Sequence, residues 1–260
     1  EWKSGLKAPR RFEHFIEKLG LKWSNVALAN SWGSGKAWKN IYGSEGKFIE
    51  ILPSHIEDST FDKAHKRKKI LNEFLLDSKV FLISHTGLLQ KRKNQECLIR
   101  GLAKLDDKNA ILLLIGEGEE REPLQKLAES IGIAKQVFFT GWRQDAIELV
   151  QGSDLFVFPS YREGMADSLL EATACKLPCL VSSIEENTDV IQNPEQHFPP
   201  DDPEILAEKI KRLMHDPEYY RKLCEATDED KKRFIFDWGG KIVQTSETLI
   251  HKSQARSRST

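Results

Sequence analysis

The regular alternation of short apolar runs with longer amphipathic stretches constrains the fold of this chain most strongly. Five apolar runs, at residues 80–84, 110–115, 137–140, 155–159 and 178–182, have the length of buried strands. The stretches 95–105, 120–131, 145–151 and 167–175 between them have the pattern of helices. Repeated βα units predict an α/β fold with an open, doubly wound parallel sheet. Ligands bind such sheets at the carboxyl ends of the strands, so the loops after these runs are the candidate site.

The two ends of the chain are organised differently from the middle. Before residue 75 the sequence predicts two strands, at 26–29 and 48–52, joined by a helix, and residues 53–69 are polar and charged like a linker. This is too little for an independent Rossmann-like domain, and we interpret it as the final third of one. From Pro203 onward the pattern is helical, and two Asp-Pro-Glu sequences, at 202–204 and 216–218, mark helix starts.

Composition excludes several classes of function. The formal net charge is -1, so no nucleic-acid partner is expected, and the basic stretch 66–69 is interpreted as a solvated face. The four cysteines form no Cys-x2-Cys pair, which favours a reducing compartment, core filling by Cys175 and Cys179, and no metal site. No apolar run approaches the roughly 20 residues that span a bilayer, so we expect a soluble protein.

Two glutamates bracket the turn that follows the run at 155–159. Glu163 lies in the loop and Glu171 lies eight positions later, on the helix predicted to open just after Gly164. Backbone N–H groups at a helix start bind anions, so Gly164 and Met165 are candidates to contact a diphosphate. A carboxylate one turn into the helix can accept hydrogen bonds from both hydroxyls of a ribose, which suits Glu171.

This frame resembles the Glu-x7-Glu signature of retaining GT-B glycosyltransferases of family 4, and matching segments extend over residues 25–250. The resemblance implies a nucleoside-diphosphate sugar as donor, no cofactor and no bound metal. It assigns the ribose to Glu171 and places Glu163 beside the reacting carbon of the donor sugar. Transfer with retention of configuration, by front-side displacement through an oxocarbenium-like state, is implied as well.

A second matching segment is the loop from Gly87 to residue 95. It is similar to the family loop in which an arginine and a lysine converge on the diphosphate. Lys93 falls on the lysine, so the resemblance makes it both a donor-binding and a catalytic residue. The arginine position is Leu88, which removes one cation. Lys91 or Arg92 could reach in instead, and an exposed, solvated role for either is an equal alternative.

Three further segments resemble family landmarks more weakly. The Gly-x-Gly turn at 116–118 would run near the nucleotide, with a plain turn as the alternative. Gly141 resembles a residue that lines the base pocket through its backbone, and Trp142 would cover the base or pack beneath the loop. Asp189 stands where the family has a glutamate, in a segment without the usual glycines. His85 follows the first run, and a phosphate or sugar contact is one interpretation of it.

The resemblance also implies a domain plan. It makes residues 1–57 the remnant of an N-terminal acceptor-side domain, which resembles the family around Asn30, Ser31 and residues 51–54. The other parts are a linker (58–76), a Rossmann-like donor-binding domain (77–232) and a C-terminal helix with a frayed tail (233–260). The missing acceptor half would come from a partner, and the chain alone is expected to show no sugar transfer.

The implied acceptor is a hydroxyl of a glycan, a lipid-linked sugar or a small molecule. The expected location is cytoplasmic, with peripheral association at the cytoplasmic face of a membrane compatible with a lipid-linked acceptor. A non-catalytic nucleotide-sugar-binding module or partner subunit is the alternative function, favoured by Leu88 and by the partial acceptor domain. A sugar-nucleotide epimerase of the same architecture would not be expected to carry the Glu-x7-Glu frame.

Overall fold

A computed structural model of the protein describes residues 26–29, 36, 48–51, 54–56 and 60–257. The chain divides into two compact units, one made of Glu1–Ser54 and Asp237–Thr260 and the other of His55–Phe236. Asn30, Ser31 and the middle of the 51–54 landmark lie outside the described residues, as does the end of the tail from residue 258.

The larger unit contains a six-stranded sheet in which every neighbouring pair of strands is parallel. Its strands are β3 (Phe81–Thr86), β4 (Ala110–Ile115), β5 (Val137–Gly141), β6 (Leu155–Phe158), β7 (Cys179–Ser182) and β8 (His197–Phe198). They lie in the order β5-β4-β3-β6-β7-β8. The doubly wound α/β sheet is therefore confirmed, with the order of a Rossmann fold. Strand β8 was not predicted, because two residues carry no periodic pattern.

Helices of this unit connect and cover the strands. They are α1 (Lys63–Glu73), α2 (Gln95–Leu105), α3 (Arg121–Ser130), α4 (Ala146–Gln151), α5 (Asp167–Ala174), α6 (Glu185–Thr188), α7 (Pro203–His215) and α8 (Pro217–Lys231). The Asp-Pro-Glu sequences begin α7 and α8 as predicted. The side chain of Asp202 accepts a hydrogen bond from the Ile205 N–H at 3.0 Å, and that of Asp216 from the Tyr219 N–H at 2.9 Å.

The core lies on both faces of the sheet. All six residues of β4 and all four of β6 are buried, and two clusters of buried side chains pack against the opposite faces. Strands buried on both faces need continuous apolar runs rather than alternation, which is the pattern the sequence has. Cys175 and Cys179 are buried in one of these clusters, which confirms their core-filling role.

The stretch interpreted as a linker contains helix α1, so its polar composition was misleading. The Arg67 guanidinium lies 2.6 Å from an Asp154 carboxylate oxygen and donates to the Val80 carbonyl oxygen at 2.5 Å. Ile70 is the buried residue of the helix. Ile70 and ion pairs to residues distant in the chain, with Lys66 and Lys69 both contacting Glu148, hold α1 on the unit, and such contacts give no periodic signal in the sequence.

The smaller unit contains two short strands and the last helix. Both predicted strands are present: β1 (Val26–Ala29) pairs in parallel with β2 (Phe48–Ile51), and the last helix, α9, spans Trp238–Ser257. Among the helices that the structure describes, none combines the length and apolarity needed to cross a membrane.

Candidate functional site

The candidate site lies where the strand order reverses, at the neighbouring strands β3 and β6. Ile83 pairs with Leu155 and Ser84 with Phe156, so the loops that leave these two strands emerge side by side at the carboxyl edge of the sheet. Such a switch point opens a crevice because the chain leaves the two strands toward opposite faces. The loop after β3 carries Lys93, and the loop after β6 carries Glu163.

Lys93 and Glu163 form a buried ion pair. The Lys93 Nζ lies 2.8 Å from Glu163 Oε1, and the side chains are 9% and 6% exposed. The ammonium also lies 4.7 Å from the centre of the Phe158 ring, in a cation–π contact. A carboxylate this buried needs a cation, because leaving it unpaired costs about 3 to 5 kcal/mol. The two residues that the resemblance made catalytic therefore meet, although 70 positions separate them.

A second cation contacts the same carboxylate. Arg92 Nη1 lies 3.1 Å from Glu163 Oε2, and the Arg92 side chain is 46% exposed. The guanidinium also donates to the carbonyl oxygen of Arg162 at 3.4 Å, and the Tyr161 N–H donates to the Arg92 carbonyl oxygen at 2.8 Å. Two positive charges and one negative charge leave this cluster cationic, which suits a polyanionic ligand.

His85 does not face the site as a ligand contact, and that interpretation is wrong. The ring is fully buried; its Nδ1 lies 3.0 Å from the Val157 carbonyl oxygen and its Nε2 lies 3.1 Å from the Gln95 amide nitrogen. The carbonyl can only accept, so Nδ1 donates and Nε2 accepts from Gln95. Burial lowers the pKa of His85 to about 4, and the neighbouring Lys93 charge acts in the same direction. His85 is therefore uncharged at neutral pH and packs beneath the loop that follows β3.

Gln95 and Asn94, which sequence reasoning missed, fix the shape of this loop. The Gln95 amide also donates to the Leu88 carbonyl oxygen at 2.9 Å. Asn94 adopts a left-handed conformation, and its amide donates to the carbonyl oxygens of Pro159 and Pro200 at 3.1 and 2.8 Å. The Asn94 amide ties the loop after β3 to the loop after β6, and the Gln95 amide fixes the loop after β3 against its own strand. Polar residues are common where a helix begins, so the sequence did not indicate that these two side chains shape the site.

The Gly-x-Gly turn at 116–118 is a packing requirement. A Cβ on Gly116 would overlap the Gly87 carbonyl oxygen and lie 2.9 Å from its carbon, and a Cβ on Gly118 would lie 2.7 Å from the Leu89 nitrogen. The Gly87 N–H donates to the Ile115 carbonyl oxygen at 3.0 Å. The turn therefore supports the loop after β3 through direct backbone contact.

Gly141 and Trp142 lie at the carboxyl end of β5. Gly141 has φ +77, and a Cβ there would lie 2.9 Å from Glu117 Oε1, so the position favours glycine. The Trp142 side chain is 76% exposed. It does not pack beneath the loop, which removes one of its two interpretations.

Gly164, Met165 and Glu171 lie around the start of α5. That helix begins at Asp167, as the stretch 167–175 predicts, so Gly164 and Met165 precede it by three and two residues. Gly164 is exposed, and nothing lies within 4 Å of the position of an added Cβ. Glu171 is exposed, and its carboxylate has no hydrogen-bond or ion-pair partner among the residues that the structure describes. Partial desolvation and the charge of Asp167 raise its pKa.

A buried polar cluster beside the site was also missed. The Ser182 hydroxyl donates to the Ser160 carbonyl oxygen at 2.5 Å, and the Asn187 amide lies 2.9 Å from the Ser182 hydroxyl. The Ser160 hydroxyl and Asn187 Oδ1 are buried without a hydrogen-bond partner in the described part of the chain. Asn187 lies on α6, in the segment where Asp189 was singled out. No group of three or more His, Cys, Asp or Glu residues in that same part could hold a metal.

Comparison with known proteins agrees with this architecture. HepE from Anabaena, crystallised with UDP and glucose, has the same fold, with a TM-score of 0.78 over 94% of this chain and 69% of that protein at 19% identity. An Escherichia coli UDP-Gal:alpha-D-GlcNAc-diphosphoundecaprenol alpha-1,3-galactosyltransferase is 28% identical over 56% of this chain. The N-acetyl-alpha-D-glucosaminyl L-malate synthase of Bacillus anthracis is 26% identical over 90% of it. The chain spans 39% and 61% of the lengths of these two curated relatives.

The sequence signature of the family described as "Glycosyl transferases group 1" matches residues 66–230, which is more than half of the chain and includes both loops of the candidate site. Its Rossmann-like sheet corresponds to those of GT-B glycosyltransferases. The chain belongs to the glycosyl transferases group 1 family.

Proposed function

We propose that this chain binds the nucleoside-diphosphate sugar donor of a retaining glycosyltransferase and contributes Lys93 and Glu163 to the transfer. The observation that carries the proposal is the buried Lys93–Glu163 pair at the switch point of the sheet, 2.8 Å between Nζ and Oε1. A buried cation beside an open crevice can neutralise charge that develops on a leaving phosphate. The resemblance of the Glu163–Glu171 frame to the Glu-x7-Glu signature of family 4 supports the same assignment.

The diphosphate would lie against Lys93 and the loop that follows β6. Gly164 is exposed with open space around it, so a phosphate can approach the backbone N–H groups of Gly164 and Met165 closely. Gly87, with φ +151, turns the other loop so that an added Cβ would lie 3.8 Å from the Lys93 Nζ. A larger residue at Gly87 would therefore reduce the space that a phosphate needs beside the Lys93 ammonium.

The nucleoside would lie between the ends of β5 and α5. Glu171 is an exposed carboxylate suited to accept hydrogen bonds from both ribose hydroxyls. The Trp142 ring, 76% exposed, is free to cover the base, and the backbone of Gly141 would line the base pocket. UDP is the first nucleotide to test, because HepE was crystallised with it and the name of the Escherichia coli relative includes a UDP-sugar.

Transfer with retention would follow from front-side displacement. The bond between the sugar C1 and the phosphate oxygen breaks, the acceptor oxygen bonds to C1 on the same face, and the acceptor proton passes to the departing phosphate. Lys93 would neutralise the phosphate charge that develops, and Glu163 would stabilise the positive charge on the sugar. No resident cofactor is proposed for these steps.

The acceptor is proposed for the whole protein and not for this chain alone, because the chain spans only part of the length of its relatives. A glycan, lipid-linked or small-molecule hydroxyl is proposed, at the cytoplasmic face of a membrane where it is lipid-linked. The relatives named above are an alpha-1,3-galactosyltransferase whose name includes a diphosphoundecaprenol-linked GlcNAc and an N-acetyl-alpha-D-glucosaminyl L-malate synthase. Their names support a transferase over a non-catalytic nucleotide-sugar-binding module.

Substituting Glu171 with Gln tests the donor site. We expect Glu171→Gln to weaken UDP binding by about 1 to 3 kcal/mol, because an amide can accept only at its oxygen and loses the charge-assisted hydrogen bonds of a carboxylate. Titration calorimetry with UDP and 2′-deoxy-UDP provides the measurement. Wild type should prefer UDP, and the variant should lose most of that preference.

Asp167→Asn is the matched control for this experiment. Asp167 lies one turn earlier on the same helix and is also exposed, so its substitution removes a similar surface charge. Neutralising a carboxylate near a polyanion should leave UDP affinity unchanged or slightly higher. An undiminished preference for UDP over 2′-deoxy-UDP in Glu171→Gln would exclude ribose recognition by this residue.

A further inference from the structure

We infer that Arg92 is the second cation of the diphosphate site and takes the place of the arginine that this chain lacks at position 88. The inference rests on the proposed donor site. Arg92 and Lys93 hold the two oxygens of one carboxylate, with Arg92 Nη1 3.1 Å from Glu163 Oε2 and Lys93 Nζ 2.8 Å from Glu163 Oε1. Two consecutive residues of one short 3₁₀ turn thus place their positive charges next to the same carboxylate.

The position of Arg92 is defined by its backbone as well as its side chain. Its carbonyl oxygen accepts from the Tyr161 N–H at 2.8 Å, so the turn is attached to the loop after β6, next to Glu163. The remaining guanidinium N–H groups have no protein partner in the described part of the chain, and the side chain is 46% exposed. Arg92 can therefore keep its contact with Glu163 and present further donors to an incoming anion.

Charge supports the need for this residue. A nucleoside diphosphate carries two or more negative charges, while Lys93 alone is already balanced by Glu163. Arg92 leaves the cluster with an excess positive charge. Leu88, at the position of the family arginine, is 54% exposed and contributes none. Arg92, which contacts Glu163 together with Lys93, is the residue of this loop placed to supply that second charge.

Lys91, the other candidate, faces a different region. It lines a cavity of about 290 Å³ together with Gln90, Asn94, Gln95, Glu96, Glu120, Leu124 and Tyr161, and neither Lys93 nor Glu163 lines that cavity. No ion pair joins Lys91 to Glu163 among the described residues. Lys91 carries the same charge as Arg92 and lies one position earlier in the same turn, but it does not contact Glu163. It is therefore the matched control.

The test compares UDP and uridine binding by wild type, Arg92→Ala, Lys91→Ala and Lys93→Ala. Arg92→Ala should weaken UDP binding about tenfold at low salt, and less at high salt, since an exposed guanidinium is partly screened. Lys91→Ala should change it by less than about twofold. Uridine affinity should be the same in wild type, Arg92→Ala and Lys91→Ala, because uridine carries no phosphate.

A compensating substitution separates this role from a general loss of structure. Leu88 is exposed, so an arginine fits there without disturbing the core. Leu88→Arg in the Arg92→Ala background should recover most of the UDP affinity, a recovery that a misfolded loop would not show.

The outcomes also separate the two proposals. If Arg92→Ala matches Lys91→Ala while Lys93→Ala loses UDP binding, the donor site stands and the role of Arg92 is refuted. If wild type binds none of UDP, GDP and ADP at millimolar concentration, the proposed function fails and the inference fails with it.

Discussion

Gly116→Ala should destabilise the protein by about 2 to 6 kcal/mol, the largest effect that we expect from a single methyl group at the glycines that the structure describes. Gly116 has φ +146, which L side chains rarely adopt, and such strain costs about 1 to 3 kcal/mol. The added Cβ would also overlap the Gly87 carbonyl oxygen, and forcing extra volume into packed structure costs a similar amount. Chemical denaturation monitored by circular dichroism gives the free energy of unfolding.

Two other glycines separate the contribution of backbone strain from that of steric overlap. Gly132→Ala has the strained conformation alone, with φ +81 and nothing within 4 Å of the new Cβ, and should cost about 1 to 2 kcal/mol. Gly118→Ala tests the steric conflict alone. Its φ is not positive, and its added Cβ would lie 2.7 Å from the Leu89 nitrogen. Equal losses in Gly116→Ala and Gly132→Ala would mean that the loops after β3 and β4 do not touch as described. UDP binding should fall in Gly116→Ala too, because the displaced loop carries Lys93.

The second large effect is a pH dependence of stability caused by His85. Burial lowers the pKa of this histidine from 6.5 to about 4, so between these values the unfolded state binds the additional proton. Stability therefore rises with pH through this interval and is lost as the pH falls from about 6.5 toward 4. The full contribution is about 3 kcal/mol, taking 1.36 kcal/mol for each pKa unit.

The measurement is the free energy of unfolding at a series of pH values from 4 to 8, for wild type and for His85→Gln. The variant should show a flatter rise between pH 4 and 6.5, whatever its stability at pH 7. Ile99→Val removes one buried methylene and should lower stability by about 0.5 to 1.5 kcal/mol at every pH, leaving the slope intact. Identical slopes in wild type and His85→Gln would show that His85 is accessible to protons in the folded state.

The sequence determined the elements that depend on local pattern. Apolar runs predicted β3 to β7 to within about two residues, because strands buried on both faces are made mostly of apolar residues. Helix starts at Pro203 and Pro217 were readable because Asp caps and Pro at the first turn act within four residues. The loop after β6 was identified through the resemblance of the Glu163–Glu171 frame to a family signature, which is also contained in one short segment.

Only the tertiary structure decided what the candidate site contains. Lys93 and Glu163 meet because β3 and β6 are neighbours in the sheet, a strand order set by packing across the whole unit. Lys91 and Arg92 are adjacent cations that no sequence pattern distinguishes, yet Arg92 contacts Glu163 and Lys91 lines a cavity that neither Lys93 nor Glu163 lines. Such contacts depend on which loops the sheet brings together and on the turn that each loop adopts, and distance along the chain does not encode either of them.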